Sequence, residues 1–176
     1  AGSQDWGANA RIYVTGTVSV SAGATLTIGE GTIVRCAPGV EFWVRPGGEI
    51  QINGTAARPA VFVPDSTSNL WGGFWLQPQS GANVARLTAT GAIFCCWGAN
   101  QNWYTTPPGE PARTFPHHRN EQPCIATAAG AVTTLTDVAM VGPTGLSQTR
   151  GAALATNGGS LIFTRVLAQR CITGGE

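Results

Sequence analysis

Residues 22–34 read AGATLTIGEGTIV, and this phrase decides the fold. A turn opened by glycine is followed by alternating apolar and small polar residues, then by a second turn and an apolar pair. Similar phrases recur at residues 38–52, 80–94, 129–142 and 158–171. Alternation with period two is typical of strands, and helical spacing never persists for two turns. Strands of three to five residues with glycine corners, repeated along a chain, predict a solenoid that stacks on itself.

The spacing of the phrases predicts the size of each coil. Gly23, Gly81, Gly130 and Gly158 open four of them, at intervals that fit coils of about 22–30 residues once one additional phrase and an irregular stretch are set aside. A coil of that length holds three short strands and three corners. We therefore expect an all-β, parallel β-helix whose inward residues stack between coils and whose strand edges are paired except at the two ends.

A single β-helix domain, or part of a longer one, is expected over residues 1–176. Residues 1–10 form a lead-in, in which Trp6 caps the first layer of the core. The first coils occupy residues 11–99, an inserted loop residues 100–123, and the later coils residues 124–176. The last phrase stops without a polar cap, which predicts that another copy or a continuation of the chain covers the C-terminal coil.

Composition excludes several classes of function. Charged residues make up 11% of the chain, against roughly 25% in ordinary globular proteins, and the net charge is +1. Binding to nucleic acid or to an anionic membrane is therefore not expected. No apolar run approaches the roughly 18 residues of a membrane span. No cofactor motif or metal-ligand spacing is present, so no cofactor and no metal are expected.

The inserted loop, residues 100–123, departs most from the repeat. It contains five of the eleven prolines and both histidines, and it is too long and polar to form a corner. Long ordered loops of this kind are often functional. His117 and His118 are candidates for a ligand, metal or catalytic site, but adjacent histidines on an extended loop point apart. The alternative interpretation is a solvated polar loop.

The five cysteines are expected to form disulfides in an oxidising compartment. They lack a C-x-x-C metal pattern, and a turn-rich β protein of low charge with several cysteines is typical of secreted proteins. Cys96 and Cys124 flank the loop closely and predict a disulfide across its base, and Cys95 and Cys36 are further candidates. An odd number leaves one thiol over, and Cys171 is expected to find a partner outside the chain.

Aromatic side chains suggest a carbohydrate-stacking surface. Alternation would place Trp71 and Trp75 of WGGFWL on one face, and Trp103 and Tyr104 lie on the loop. The alternative interpretation is packing against coil corners or under the loop. Asn53 begins an Asn-Gly-Thr sequon and is a candidate glycosylation site, although Asn-Gly is also a common turn.

Three segments together carry a resemblance to a known family. Residues 13–34, 52–64 and 71–76, which read YVTGTVSVSAGATLTIGEGTIV, INGTAARPAVFVP and WGGFWL, resemble the opening coils of secreted right-handed parallel β-helix proteins. The resemblance covers residues 12–76 well and the later coils loosely. It implies a scaffold of an extracellular or cell-surface protein.

We therefore expect a non-catalytic structural or surface-interaction module that stacks on itself or belongs to a longer chain. A second hypothesis is a carbohydrate-binding module, and a third is the N-terminal part of a polysaccharide lyase or glycoside hydrolase. Catalysis within these residues is disfavoured, because the acidic residues are scattered and no two lie at i, i+2 on a strand face. No catalytic residue is assigned.

Overall fold

The chain winds through short parallel strands that stack in successive coils. The computed structural model describes residues 2–66, 69–99, 103–115, 122–143 and 152–171, and within these ranges it contains fourteen strands and no helix. Every ladder between these strands is parallel. The strands are β1 (Gln4–Trp6), β2 (Arg11–Val14), β3 (Val18–Val20), β4 (Thr25–Gly29), β5 (Ile33–Cys36), β6 (Glu41–Val44), β7 (Glu49–Asn53), β8 (Ala60–Pro64), β9 (Gly73–Leu76), β10 (Arg86–Cys95), β11 (Ile125–Thr127), β12 (Val132–Val141), β13 (Leu154–Thr156) and β14 (Ser160–Gln169).

Two sheets form the walls of the solenoid. The larger has nine strands: β1, β4 and β7 form one column, β2, β5 and β8 a second, and the long strands β10, β12 and β14 join both. The smaller sheet follows the order β3, β6, β9, β11 and β13. Since each turn of the chain adds a strand to each wall, the expected parallel β-helix is confirmed.

Three of the five intervals in the register, of 22, 24 and 28 residues, fall within the predicted coil length, and the other two, of 37 and 46 residues, exceed it. One column of equivalent positions, defined by successive strand pairing, runs through Gln4, Leu26, Ile50, Leu87, Thr133 and Leu161. The two larger intervals in this column contain the connections between β8 and β10 and between β10 and β11. The recurring phrases are therefore the coils, and the inserted loop is the largest departure from them.

An aromatic column fills the space between the two sheets. Phe42, Phe62, Phe74, Phe94 and Trp71 are each at most 1% exposed, and their rings are in contact. Trp6 packs on the top of this column, 6.3 Å from the ring of Phe42, as the sequence predicted. Inward residues on consecutive coils thus bury one another, which is how stacked repeats gain stability that no single repeat has.

The later coils contain longer strands than the sequence predicted. β10, β12 and β14 each have ten residues rather than three to five. Each is bent by a single left-handed residue at the same position of the coil: Gly91 with φ 55°, Asp137 with φ 55° and Arg165 with φ 53°. A one-residue corner turns the chain while strand pairing resumes on both sides, so two predicted short strands become one.

Gly91 occupies one of these corners, and its replacement provides a first prediction. A Cβ atom there would lie 2.5 Å from the backbone carbon of Gly54, in addition to the strain of a positive φ. We expect Gly91→Ala to lower the free energy of unfolding by about 2–4 kcal/mol in urea titrations. Gly81 is the matched control, because its φ is 59° and nothing lies within 4 Å of its Cβ position. Equal losses in the two variants would show that close packing at the corner is unimportant.

Candidate interaction surfaces

The inserted loop packs back onto the outer face of the smaller sheet. A second apolar cluster forms there, distinct from the core between the sheets. Its members are Trp75, Trp103, Phe115, Ala126, Ala128 and Ala155, with Trp43 and Tyr104 packed against them. The alanines of β11 and β13 and the adjoining turn leave room for the rings of Trp103 and Phe115. The described part of the loop is therefore a covering layer and not a free extension.

Arg113 lies at the centre of this cluster. Its guanidinium carbon is 4.3 Å from the ring centre of Trp75 and 4.4 Å from that of Trp103, so the group lies between two indoles. One guanidinium nitrogen donates to the Trp103 carbonyl and another to Glu41 Oε2, both at 2.8 Å. Burial lowers the pKa of Arg113, while the ion pair with Glu41 raises it. The loop is thus held by a buried, charge-assisted contact.

Glu41 is held from several sides. It lies on β6, accepts a hydrogen bond from Trp43 Nε1, and accepts another from Gln122 Nε2 at 2.6 Å. The side chains of Arg113 and Glu41 are only 1% and 9% exposed. Because Gln122 lies near the C-terminal end of the loop, a single carboxylate on the sheet holds both this end and the segment around Arg113.

A second ion pair holds the middle of the loop. Glu110 receives two hydrogen bonds from Arg45, at 2.8 and 2.9 Å, and one from Gln77 Nε2 at 2.7 Å. The bonds from Arg45 lower the pKa of Glu110, and burial partly opposes this effect. Arg45 and Gln77 both follow strands of the smaller sheet, so this contact also joins the loop to the sheet.

The lowered pKa of Glu110 predicts acid-sensitive docking of the loop. A carboxylate with a lowered folded-state pKa adds stability above its unfolded pKa, about 4.3, and loses that stability as pH falls through the folded value. We expect tryptophan fluorescence to report loosening of the loop as the pH falls below that unfolded-state pKa. Glu110→Gln should reduce the change between pH 5 and 3, and an unchanged acid transition would contradict this role for Glu110.

Three buried N–H groups of the cluster have no hydrogen-bond partner among the described residues: Trp75 Nε1, Trp103 Nε1 and Arg113 Nε. Each such group is expected to cost about 1–3 kcal/mol relative to a solvated one. The stacking and ion pairing around Arg113 offset this cost in the docked loop.

The C-terminal long strand presents a very different surface. β14 pairs with β12 along one edge, and no strand of the described ranges pairs with the other. Ile162, Phe163 and Leu167 are 54%, 43% and 49% exposed. Phe163 belongs to the column of Ile28, Ile52, Ala89 and Leu135, which are at most 1% exposed. Phe163 is thus a core-type residue with one side uncovered, whereas Ile162 and Leu167 continue the outward columns of Thr134 and Ala139.

Three of the four candidate stacking residues are buried tryptophans. Trp71, Trp75 and Trp103 are 0%, 1% and 1% exposed, so their faces are not accessible to a ligand in this structure. Trp71 and Trp75 also lie on opposite sides of the sheet, because the turn at Gly72 and Gly73, with φ 146° at Gly73, interrupts the alternation expected for WGGFWL. Trp71 packs in the core, and Trp75 lies under the loop.

The remaining candidate site residues are Tyr104, His117, His118 and Asn53. Tyr104 is half-buried, with its ring 5.2 Å from that of Trp103, and its role in ligand binding stays a prediction. His117 and His118 lie outside the described residues. Asn53 ends β7 with an exposed side chain, so the sequon is accessible, and its modification stays a prediction.

The predicted disulfides are absent from the structure, in which all five cysteines are free thiols. Cys124 faces the core and is fully buried, whereas Cys96 lies beyond the end of β10 at a corner with φ 59°. The predicted Cys96–Cys124 link across the loop base is not formed in this structure. Cys171, for which a partner outside the chain was predicted, packs against the core.

Thiol reactivity provides a further prediction. Burial raises the pKa of Cys36 to about 12 and that of Cys124 well above its ordinary value. Because the thiolate is the reactive form, we expect both to resist alkylation in the folded protein at pH 8. Mass spectrometry after alkylation should show Cys36 and Cys124 modified only in denaturant. Failure to alkylate a cysteine in non-reducing denaturant would instead reveal a disulfide.

The residues that fix the loop were not identified from the sequence as a group. Glu110 and Arg113 lie in the predicted loop, but no local pattern connects them with Glu41 and Arg45. A signal was present at Glu41, a carboxylate inside the apolar segment VEFWV. Across the ranges that the structure covers, no group of three or more His, Cys, Asp or Glu residues is arranged to hold a metal ion. Nor is any helix there long and apolar enough to cross a membrane.

Comparison with known protein families agrees with this geometry. A family model for the pectate-lyase-like β-helix domain matches residues 4–94, just over half of the chain. The chain belongs to the pectate-lyase-like β-helix domain family. No curated protein and no solved structure gives a significant match.

The family match covers the first part of the structure, residues 4–94. The part that resembles other pectate-lyase-like β-helix domains extends from β1 almost to the end of β10, and it contains the aromatic core, Glu41, Arg45 and Trp75. The docked loop and β11 to β14 lie outside the match. Their place in the β-helix follows from parallel pairing with the matched strands.

Proposed function

We propose that this pectate-lyase-like β-helix domain is a non-catalytic, extracellular structural module that joins other β-structure through the free edge of β14. The observation that carries the proposal is the exposure of Ile162, Phe163 and Leu167 on a strand with one unpaired edge. An edge of this kind is a template for another strand. Strand addition would satisfy its backbone groups and cover its apolar side chains.

The docked loop supports a structural role. The contacts of Arg113 and Glu110 hold it against the smaller sheet, so that face is already covered. The free edge of β14 is uncovered and rich in apolar side chains. A partner that buries Phe163 would remove apolar surface from water, which is the main driving force of protein association.

A strand-addition assay tests this function. A fluorescein-labelled peptide with the sequence of residues 4–14, which contains β1 and β2, is titrated with the protein, and binding is followed by fluorescence polarisation. We expect saturable binding, and about tenfold or greater weakening in the Phe163→Arg protein, because an unpaired charge would enter the apolar contact. A peptide of the same composition in reversed order should not bind.

The matched control is Thr90→Lys. Thr90 is exposed on β10, a strand that is paired on both edges, so a new charge there should leave peptide binding unchanged. Equal weakening by Thr90→Lys would indicate a nonspecific effect of charge. Absence of saturable peptide binding to the unmodified protein would reject the free edge of β14 as a binding surface.

The family description supports a second candidate, cleavage of an acidic polysaccharide. Several described carboxylates are already paired with arginines, as in Glu41–Arg113, Glu110–Arg45 and Asp137–Arg165, which leaves them poorly placed to act on a substrate. We therefore rank this candidate below the structural one. Release of unsaturated uronides from polygalacturonate by the purified protein would reverse that order. Glycan binding that is lost in Tyr104→Ala would favour a carbohydrate-binding module.

A further inference from the structure

We propose that the strand received by β14 comes from a second copy of this chain, stacked head to tail through its first coil. This inference rests on the proposed function, since it requires the free edge of β14 to take a strand. The first coil has its own free edges. β1 pairs only with β4, and β2 only with β5, among the described strands.

Residues of the first and the last coil belong to the same columns of paired positions. Trp6 stands above Ile28 at one end, and Phe163 stands below Leu135 at the other, within one continuous inward column. Gln4 and Leu161 begin and end the neighbouring column in the same way. Continuing the existing register across a head-to-tail joint therefore places Phe163 of one copy against Trp6 of the next. Aromatic pairs of this kind add to the stability gained from burial.

A cavity at the first coil fits this arrangement. Its volume is about 270 Å³, and its lining includes the side chains of Gln4, Trp6, Val18, Val20 and Leu26. Leu161, the last residue of the Gln4 and Leu26 column, would lie over this cavity in the joined pair. The largely apolar lining matches the apolar side chains that β14 presents.

The structure already contains a joint of the required kind. β14 is one continuous strand, whereas β1 and β2 are separated by a turn. Inside the molecule, the continuous strand β10 pairs with the separate strands β7 and β8 in the same way, through Arg86–Thr90 on one side of the corner and Ala92–Phe94 on the other. Pairing of β14 with β1 and β2 would follow the same pattern of one long strand against two short ones, with Arg165 in place of Gly91 at the corner.

A head-to-tail joint has a definite consequence for assembly. The two contact surfaces differ, so every added copy leaves one surface of each kind free. Such heterologous contacts produce open filaments unless the rotation closes a ring. We expect sedimentation velocity of the whole chain to show a weight-average size that rises steadily with concentration, without a plateau at the dimer.

Charge substitutions at each end test the joint separately. Phe163→Arg blocks the free edge of β14, and Gln4→Arg blocks the mouth of the first-coil cavity; both positions are solvent-accessible, so folding should be retained by circular dichroism. We expect at least about tenfold weaker self-association of each variant alone. Ile162→Asp, at a residue 54% exposed, is the replacement should Phe163→Arg fail to fold, because the continued register would place its carboxylate beside Asp5 of the next copy.

Mixing the two variants provides the decisive measurement. Phe163→Arg retains an intact first coil, and Gln4→Arg retains an intact β14 edge, so an equimolar mixture should form a capped one-to-one dimer. Self-association that persists in either variant alone, or a mixture that stays monomeric, would overturn the head-to-tail joint. A chain that is monomeric up to its solubility limit would also overturn it. If the chain is monomeric but the labelled peptide still binds β14, the proposed function stands without the second copy. If the peptide also fails to bind, the proposed function and the head-to-tail joint are both rejected.

Discussion

Replacing Phe62 by alanine is expected to lower the free energy of unfolding by about 3–5 kcal/mol. Phe62 is fully buried, and its ring lies 5.5 Å from that of Phe42, 5.7 Å from Trp71 and 5.3 Å from each of Phe74 and Phe94. The cavity left by the ring would open at the centre of the aromatic column. Each coil is stabilised by its neighbours, so the coils on both sides would lose contacts.

The next residue along β8 provides the matched control. Val63 points to the opposite side of the sheet and is half-buried. We expect Val63→Ala to cost about 1 kcal/mol or less, because only part of its side chain leaves an apolar contact. Urea unfolding followed by circular dichroism measures both values. Equal losses would contradict the assignment of Phe62 to the centre of the core.

Replacing Arg113 by methionine is the second substitution with a large expected effect. It removes the guanidinium from between Trp75 and Trp103 and leaves Glu41 buried without its cationic partner. Breaking a buried pair by removing one partner typically costs 3–5 kcal/mol. We expect a loss of about this size together with a red shift of tryptophan emission, since release of the loop would expose Trp75 and Trp103 to water.

A double variant separates the ion pair from the packing around it. In Arg113→Met with Glu41→Gln, no charge is left buried, so the combined loss should be smaller than the sum of the two single losses. Arg58→Met is the surface control, because Arg58 and Glu30 form an ion pair whose side chains are 54% and 28% exposed. Exposed pairs contribute about 0–1 kcal/mol. An Arg113→Met loss within that range would show that the loop is held by other contacts.

The aromatic core and the docked loop differ in how much of their structure the sequence predicts. The alternation in AGATLTIGEGTIV and its recurrence identified the inward positions and the coil length, because both depend on neighbours a few residues away. The same reasoning failed at WGGFWL, where Gly72 and Gly73 break the alternation and place Trp71 and Trp75 on opposite sides of the sheet. It also divided β10, β12 and β14, since a one-residue corner at Asp137 or Arg165 has no recognisable signature.

The sequence alone was sufficient for the architecture: parallel strands, stacked coils and a long loop at residues 100–123 are all local or periodic properties. The tertiary structure was needed for everything that depends on distant residues. Arg113 meets Glu41, 72 positions away, and β14 carries its apolar side chains to an edge with no paired strand among the described residues. A repeat constrains which residues face inward, but not which face a loop covers or which edge is left open. Those outcomes are decided by contacts between segments whose sequences give no sign of one another.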